Sequence, residues 1–85
     1  MSRFQYTEIG EPVKVGAVFD KTKIQPMWFI WNGRRYDLRG VTYEWVDSRG
    51  TAKLHCFSVW DGTDIYELTF NLKLLSWRLE KVYPR

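Results

Sequence analysis

The dipeptide Asn32-Gly33 sits between two runs in which apolar residues alternate with polar ones, and no other feature restricts the fold of this chain as much. A two-residue hairpin turn of type I′ needs positive φ at both central positions, and Asn-Gly is the pair that accepts this most readily. Such a turn fixes the register on either side. It places Trp31 opposite Arg34, Phe29 opposite Tyr36 and Met27 opposite Leu38, a predominantly apolar face that reads as core. The other face pairs Ile30 with Arg35 and Trp28 with Asp37. Strand side chains alternate strictly, so the two sets mix only through a bulge.

Three further turns divide the rest of the chain: Asp47-Ser-Arg-Gly50, Asp61-Gly62-Thr63 and, more weakly, Asp20-Lys-Thr-Lys23. Period-two alternation between them predicts strands at 13–19, 24–31, 34–46, 51–60, 64–72 and 76–83. Pro12, Pro26 and Pro84 fall near strand ends or edges, where a missing N–H is tolerated. No amphipathic helix is visible; residues 71–76 suit a single helical turn at most. The expected fold is all-β: a single antiparallel meander of five to six strands, curled into a small barrel or roll. Residues 13–85 form this domain, and residues 1–12 stand before it as an edge strand or a partly ordered segment.

Finer expectations follow from parity. Tyr36 and Leu38 are even, whereas Val41, Tyr43 and Trp45 are odd, and Gly40 lies at the change. A bulge at Gly40 would turn both sets inward and bend the strand. Pairing Val46 with Thr51 sets Trp45 against Ala52, Tyr43 against Leu54, Val41 against Cys56 and Glu44 against Lys53. An odd loop at Asp61-Gly62 then sets Cys56 and Leu54 against Leu68 and Phe70. Trp77 and Leu79 then complete the last strand.

Eighty-five residues suffice for one domain. An aromatic content of 18% lets so short a chain bury enough area without disulfides. The lone Cys56 points to a reducing compartment, and Met1-Ser-Arg-Phe-Gln-Tyr lacks the apolar region of a signal peptide. With no apolar run near the roughly 20 residues of a membrane span, the expected location is a bacterial-type cytoplasm, away from membranes. A net charge of +3 permits an anionic partner without requiring one.

Little in the chain suggests catalysis, so no enzyme and no cofactor is expected. His55 and Cys56 are adjacent, and on a strand they point to opposite faces, out of reach of each other. The expected arrangement has Cys56 in the core and His55 outside. One His and one Cys cannot close a zinc site. Asp61 and Asp64 are explained by turn chemistry better than by calcium. Asp37, Asp61, Asp64 and Glu67 are the only carboxylates an active site could draw on. The surface worth weighing is the outer face of the first hairpin: Trp28, Ile30, Arg35 and Arg39, interrupted by Asp37. Rings that stack on bases and guanidinium groups that meet phosphates are how small β domains hold single-stranded nucleic acid. The blander alternatives are that strand 13–19 covers this face, with Val15 opposite Trp28, or that it is an interface. In the latter case the chain is a structural or protein-interaction domain that homodimerises there or through an edge strand. Trp31 and Arg34 are expected to form a local cation–π pair.

The segments Met27-Trp-Phe-Ile-Trp-Asn-Gly-Arg-Arg-Tyr36, Val41-x-x-x-Trp45, Phe57-x-Val59, Asp61-Gly62, Tyr66-Glu-Leu68 and Trp77-Arg-Leu-Glu-Lys81 carry a resemblance. Over about residues 13–83 the chain resembles a set of short uncharacterised bacterial proteins, a domain of unknown function. Their pattern is Trp-x-Gly-Arg-Arg-Tyr, a Trp about ten residues on, and a closing Trp-Arg-Leu-Glu. The resemblance implies that these positions act together and brings no catalytic residues. Some actinobacterial relatives sit beside genes for error-prone DNA polymerases, which by association implies a DNA-related role.

Overall fold

The structure, a computed structural model, describes residues 5–84. Seven strands follow in chain order: β1 (Thr7–Asp20), β2 (Lys23–Trp31), β3 (Arg34–Asp37), β4 (Gly40–Arg49), β5 (Ala52–Trp60), β6 (Ile65–Asn71) and β7 (Ser76–Tyr83). They form one antiparallel sheet in the order β3-β2-β1-β7-β6-β5-β4. The seven strands are six passes of the chain, because β3 and β4 are consecutive parts of the stretch expected as one strand.

Two long passes roll the sheet. Thr7–Val13 of β1 pairs with β7, and Lys14–Asp20 pairs with β2. Residues 34–49 change partner in the same way: β3 pairs with β2 and β4 with β5. The handover is at Leu38-Arg39, where Leu38 N donates to Met27 O of β2 at 2.9 Å and Arg39 N donates to Trp60 O of β5 at 2.7 Å. The sheet is therefore a roll, and its ladder is not closed into a barrel, since β3 and β4 remain its edges. Residues 7–12 run on into the same strand as 13–20, whereas residues 1–4 of the N-terminal segment lie outside the described residues.

The Asn32-Gly33 hairpin has the expected register, Phe29↔Tyr36 and Trp31↔Arg34, with φ of 52° and 74° at the two turn residues. Phe29 is 0% exposed, stacked on Tyr36 at 4.9 Å and edge-on to Tyr66 at 5.0 Å. Phe57, Val59, Leu68, Phe70, Trp77 and Leu79 fill the rest of the core. Residues 72–75 make the single turn expected near 71–76: Leu75 N donates to Asn71 O, and the Asn71 carboxamide accepts from Lys73 N and Leu74 N.

Several expectations are corrected. Met27 is exposed, because Gly16 faces Trp28 while Ala17 faces Pro26, which leaves Met27 as the extra residue of a bulge. Val15 therefore faces Phe29, and the turn after Asp20 has two residues, Lys21 and Thr22, with Lys21 at φ 51°. The chain does bend near Gly40, but the register shift falls between Val41 and Tyr43, and Gly40 has no positive φ. Val41 packs on the core, whereas Tyr43 is 66% exposed.

The β4–β5 turn is Gly50-Thr51, so Trp45 faces Cys56, Glu44 faces Phe57, and Lys53 meets Ser48. The β5–β6 loop keeps even register, with Cys56 opposite Thr69 and His55 opposite Phe70. The core side of β5 thus carries His55, Phe57 and Val59, and Cys56 lies on the other side, buried there with Leu54. The expected opposition of His55 and Cys56 holds, with the faces exchanged. Both faces of β5 are apolar, so parity alone could not choose between them.

Candidate functional site

The outer face of β2 and β3 brings together three of the four residues singled out in the sequence. Trp28 and Ile30 are both half-buried and two positions apart on β2, so they share a face. Strand β1 lies beside them in the sheet and does not cover them: Gly16 is the partner of Trp28, and Lys14 that of Ile30. The Trp28 indole lies directly over Gly16, where a side chain would have no room. Above the ring stands the Arg35 guanidinium, 4.8 Å from the centroid, and Arg35 Nε is 2.8 Å from Asp37 Oδ1.

Arg39 is elsewhere. Its side chain lies against Gly62 at the β5–β6 turn. Arg34 stands over Tyr36, 5.2 Å from its centroid, in place of the expected partner Trp31. Trp31 Nε1 instead donates to Glu11 Oε1 at 3.2 Å.

Of the carboxylates an active site could draw on, Asp37 lies on β3, Asp61 and Asp64 share the β5–β6 turn, and Glu67 lies on β6. Asp37 holds Arg35. Asp61 organises its own turn: Oδ1 accepts from Thr63 N at 2.8 Å and Asp64 N at 2.7 Å, and Oδ2 accepts from Tyr66 Oη at 2.7 Å. Burial pulls the Asp61 carboxyl upward, but the hydrogen bonds from Asp64, Tyr66 and Thr63 outweigh it and set its pKa below the ordinary value. Glu67 faces Lys81 across β6 and β7; burial raises its pKa, and the lysine opposes the rise. Burial first, then Asp47 and Glu67, push the Cys56 thiol up to about 11, so it is a poor nucleophile. No group of three or more His, Cys, Asp and Glu among the described residues could hold a metal ion.

A second surface was not foreseen from the sequence. Where the β1–β2 hairpin and residues 72–75 approach, the roll opens into a groove of about 770 Å³. Its floor is Val15, Ile24, Phe70 and Trp77, and its rim is Phe19, Leu72 and Leu75. Phe19 is 58% exposed and rests edge-on against Phe70 at 5.6 Å, and Leu75 is 72% exposed. His55 lies on the wall, stacked on Phe57 at 4.6 Å. Lys21, Thr22 and Lys23 close one side, and no Asp or Glu lines the groove. The signal in the sequence is slight: Phe19 one residue before the Asp20 turn, and Leu72, Leu74 and Leu75 inside a turn, where apolar side chains have nothing to pack on.

No family model matches the chain, and neither does any curated protein or solved structure.

Proposed function

We propose that the chain is a non-catalytic binding module and that the groove at the mouth of the roll is where it binds. One observation carries this reading: a concavity of about 770 Å³, walled by large apolar side chains whose rim members stay exposed. Ligand sites are concave, mostly apolar and of about 300–1,000 Å³, and the mouth of a rolled sheet is a common place for them. Exposed aromatic and aliphatic side chains gathered at one end are also what a binding surface presents.

The test is titration with the neutral fluorophore N-phenyl-1-naphthylamine. Saturable one-to-one binding to the native protein is expected. It should weaken in a Phe19→Ser/Leu75→Asn variant that keeps the parent's far-UV circular dichroism. Asn tolerates the positive φ of 56° at position 75, so this rim can be made polar without backbone strain. Absence of binding, or equal binding by the variant, would sink the reading.

A second reading keeps the Trp28, Ile30 and Arg35 surface for single-stranded nucleic acid, and is favoured by Lys14 standing opposite Ile30 on the same sheet face. One ring of Trp28 between Gly16 and Arg35 offers a base no free face until Arg35 swings off it and away from Asp37. Oligonucleotide titration at low salt separates the readings. Affinity falling steeply with added salt, and lost in Arg35→Gln, supports this one; no binding up to millimolar concentrations ends it.

A further inference from the structure

Resting on the reading of the groove as a binding site, we propose that its ligand is a free long-chain carboxylate, with the hydrocarbon chain along the groove and the carboxylate at Lys21 and Lys23. The lining divides in two. Val15, Ile24, Phe70 and Trp77 form the floor and offer hydrocarbon and ring surface. At one side stand the two lysines with Thr22, and no carboxylate lines the groove. Asp20 is the cross-strand partner of Lys23 and shares its sheet face, but it does not line the groove. The other hollows differ: the slot between β2 and β4 is lined by Glu44, and the hollow outside β7 by Glu80 with Arg49 and Arg78. Apolar length with cations at one side is complementary to an amphiphile with one anionic end.

The competing occupants fit less well. An extended peptide would bring a row of backbone amides against rings and aliphatic side chains, and an unpaired amide is costly to bury. A hydrocarbon chain brings none. A second copy docked mouth to mouth would gather four lysines, Lys21 and Lys23 of each copy, at an interface whose groove lining offers no carboxylate, which disfavours the pair.

The experiment displaces N-phenyl-1-naphthylamine from the full chain with saturated carboxylates of increasing length, each matched to the alcohol of the same length and kept below its micelle concentration. Each added methylene should tighten carboxylate binding by about fourfold until the chain outgrows the groove. Carboxylates should bind more tightly than the matched alcohols, and added salt should narrow the difference. Lys21→Asn/Lys23→Gln should weaken carboxylates by about three- to tenfold and leave alcohols unchanged. Asn accepts the positive φ of 51° at position 21, so this variant retains the turn.

Equal affinity for alcohols and carboxylates, or a preference that survives loss of both lysines, would overturn the anionic ligand and leave the groove standing. Displacement by neither series, with the fluorophore still bound, would overturn the hydrocarbon ligand. A dimer by sedimentation velocity that excludes the fluorophore would assign the groove to a second copy and overturn the proposal. A monomer that does not bind the fluorophore at all removes the groove reading beneath it.

Discussion

Replacing Gly16 with alanine should be among the most damaging single-methyl additions this protein can receive. Position 16 has no positive φ, so its backbone accepts alanine, and in an open strand the change would stabilise by about 0.5–1 kcal/mol. The obstacle is Trp28. A Cβ on Gly16 would fall inside 3.0 Å of Cε2, Cζ2 and Nε1 of the indole. To restore contact distance the ring must move by about 1 Å or more. Arg35 stands over that ring and is itself held by Asp37, so the displacement spreads through three side chains. Forced repacking costs about 1–3 kcal/mol, and loss of the cation–π contact adds about 0.5–1 kcal/mol. After the alanine gain is set against these, about 2 kcal/mol of destabilisation remains, which for a domain this small lowers Tm by about 8–16 °C. Urea denaturation followed by far-UV circular dichroism should show a lower midpoint at unchanged slope. Native tryptophan emission should shift to the red as Trp28 lifts away. In a Trp28→Ala background the same substitution should cost nothing or stabilise, because the clash is gone. A Gly16→Ala penalty of equal size in both backgrounds would refute the reasoning, and so would a single variant as stable as the parent.

Gly40→Ala should be neutral or stabilise by up to about 1 kcal/mol in denaturant midpoint, since Gly40 has no positive φ and an added Cβ meets nothing within 4 Å; a clear loss would restore the bulge at Gly40 expected from parity. The Asp61 carboxyl titrates lower in the folded chain than in the unfolded one, so the unfolded chain binds more protons between the two values. Its contribution is complete above about pH 4 and fades as pH falls through the folded value; Asp61→Asn should flatten this acid limb of a Tm-against-pH curve, and an unchanged limb would contradict it. Cys56 should react with a disulfide reagent at pH 8 at least about a hundredfold more slowly than a free thiol and accelerate through the urea transition; fast reaction of the native protein would mean that the thiol is accessible.

The first hairpin was legible because its information is local. Asn32-Gly33 sets the register by itself, and every pair from Trp28↔Asp37 to Trp31↔Arg34 follows. Elsewhere register depended on loop length, and a composition rich in turn formers does not say how many residues a loop takes. At residues 47–51 the turn is Gly50-Thr51, four positions away in register sum from the pairing that Asp47-Ser-Arg-Gly50 suggested. That error is even, so from Tyr43 onward odd residues of β4 still share a face with even residues of β5, whereas Val41, before the bulge, faces Val59. At Asp61-Gly62 an odd loop matches Cys56 and Leu54 with apolar Leu68 and Phe70. Both faces of β5 are apolar, however, so such matching does not select the loop length, and the even loop sets Cys56 opposite Thr69 on β6. Bulges obscured the rest: Met27 reads as core by alternation, and only the step from Gly16↔Trp28 to Ala17↔Pro26 frees it to solvent.

The groove was hidden for a different reason. A concavity between β1, β2, β5 and the turn at 72–75 is a property of the roll, and the roll arises at two places where a strand changes partners. Alternation does not register such a change: β1 keeps its pattern through Val13 and Val15 while its neighbour switches from β7 to β2. What the sequence does carry is an inconsistency. Phe19 beside one turn and Leu72, Leu74 and Leu75 within another place large apolar side chains where neither a strand nor a helix would bury them. Local and global preferences agree along most of this chain, and departures from such agreement concentrate where function has a claim on the surface. By that criterion the Trp28 face is the more conventional of the two surfaces, because Gly16 and Arg35 satisfy its ring from both sides, whereas the rim leucines and Phe19 have no such partners on the side facing solvent.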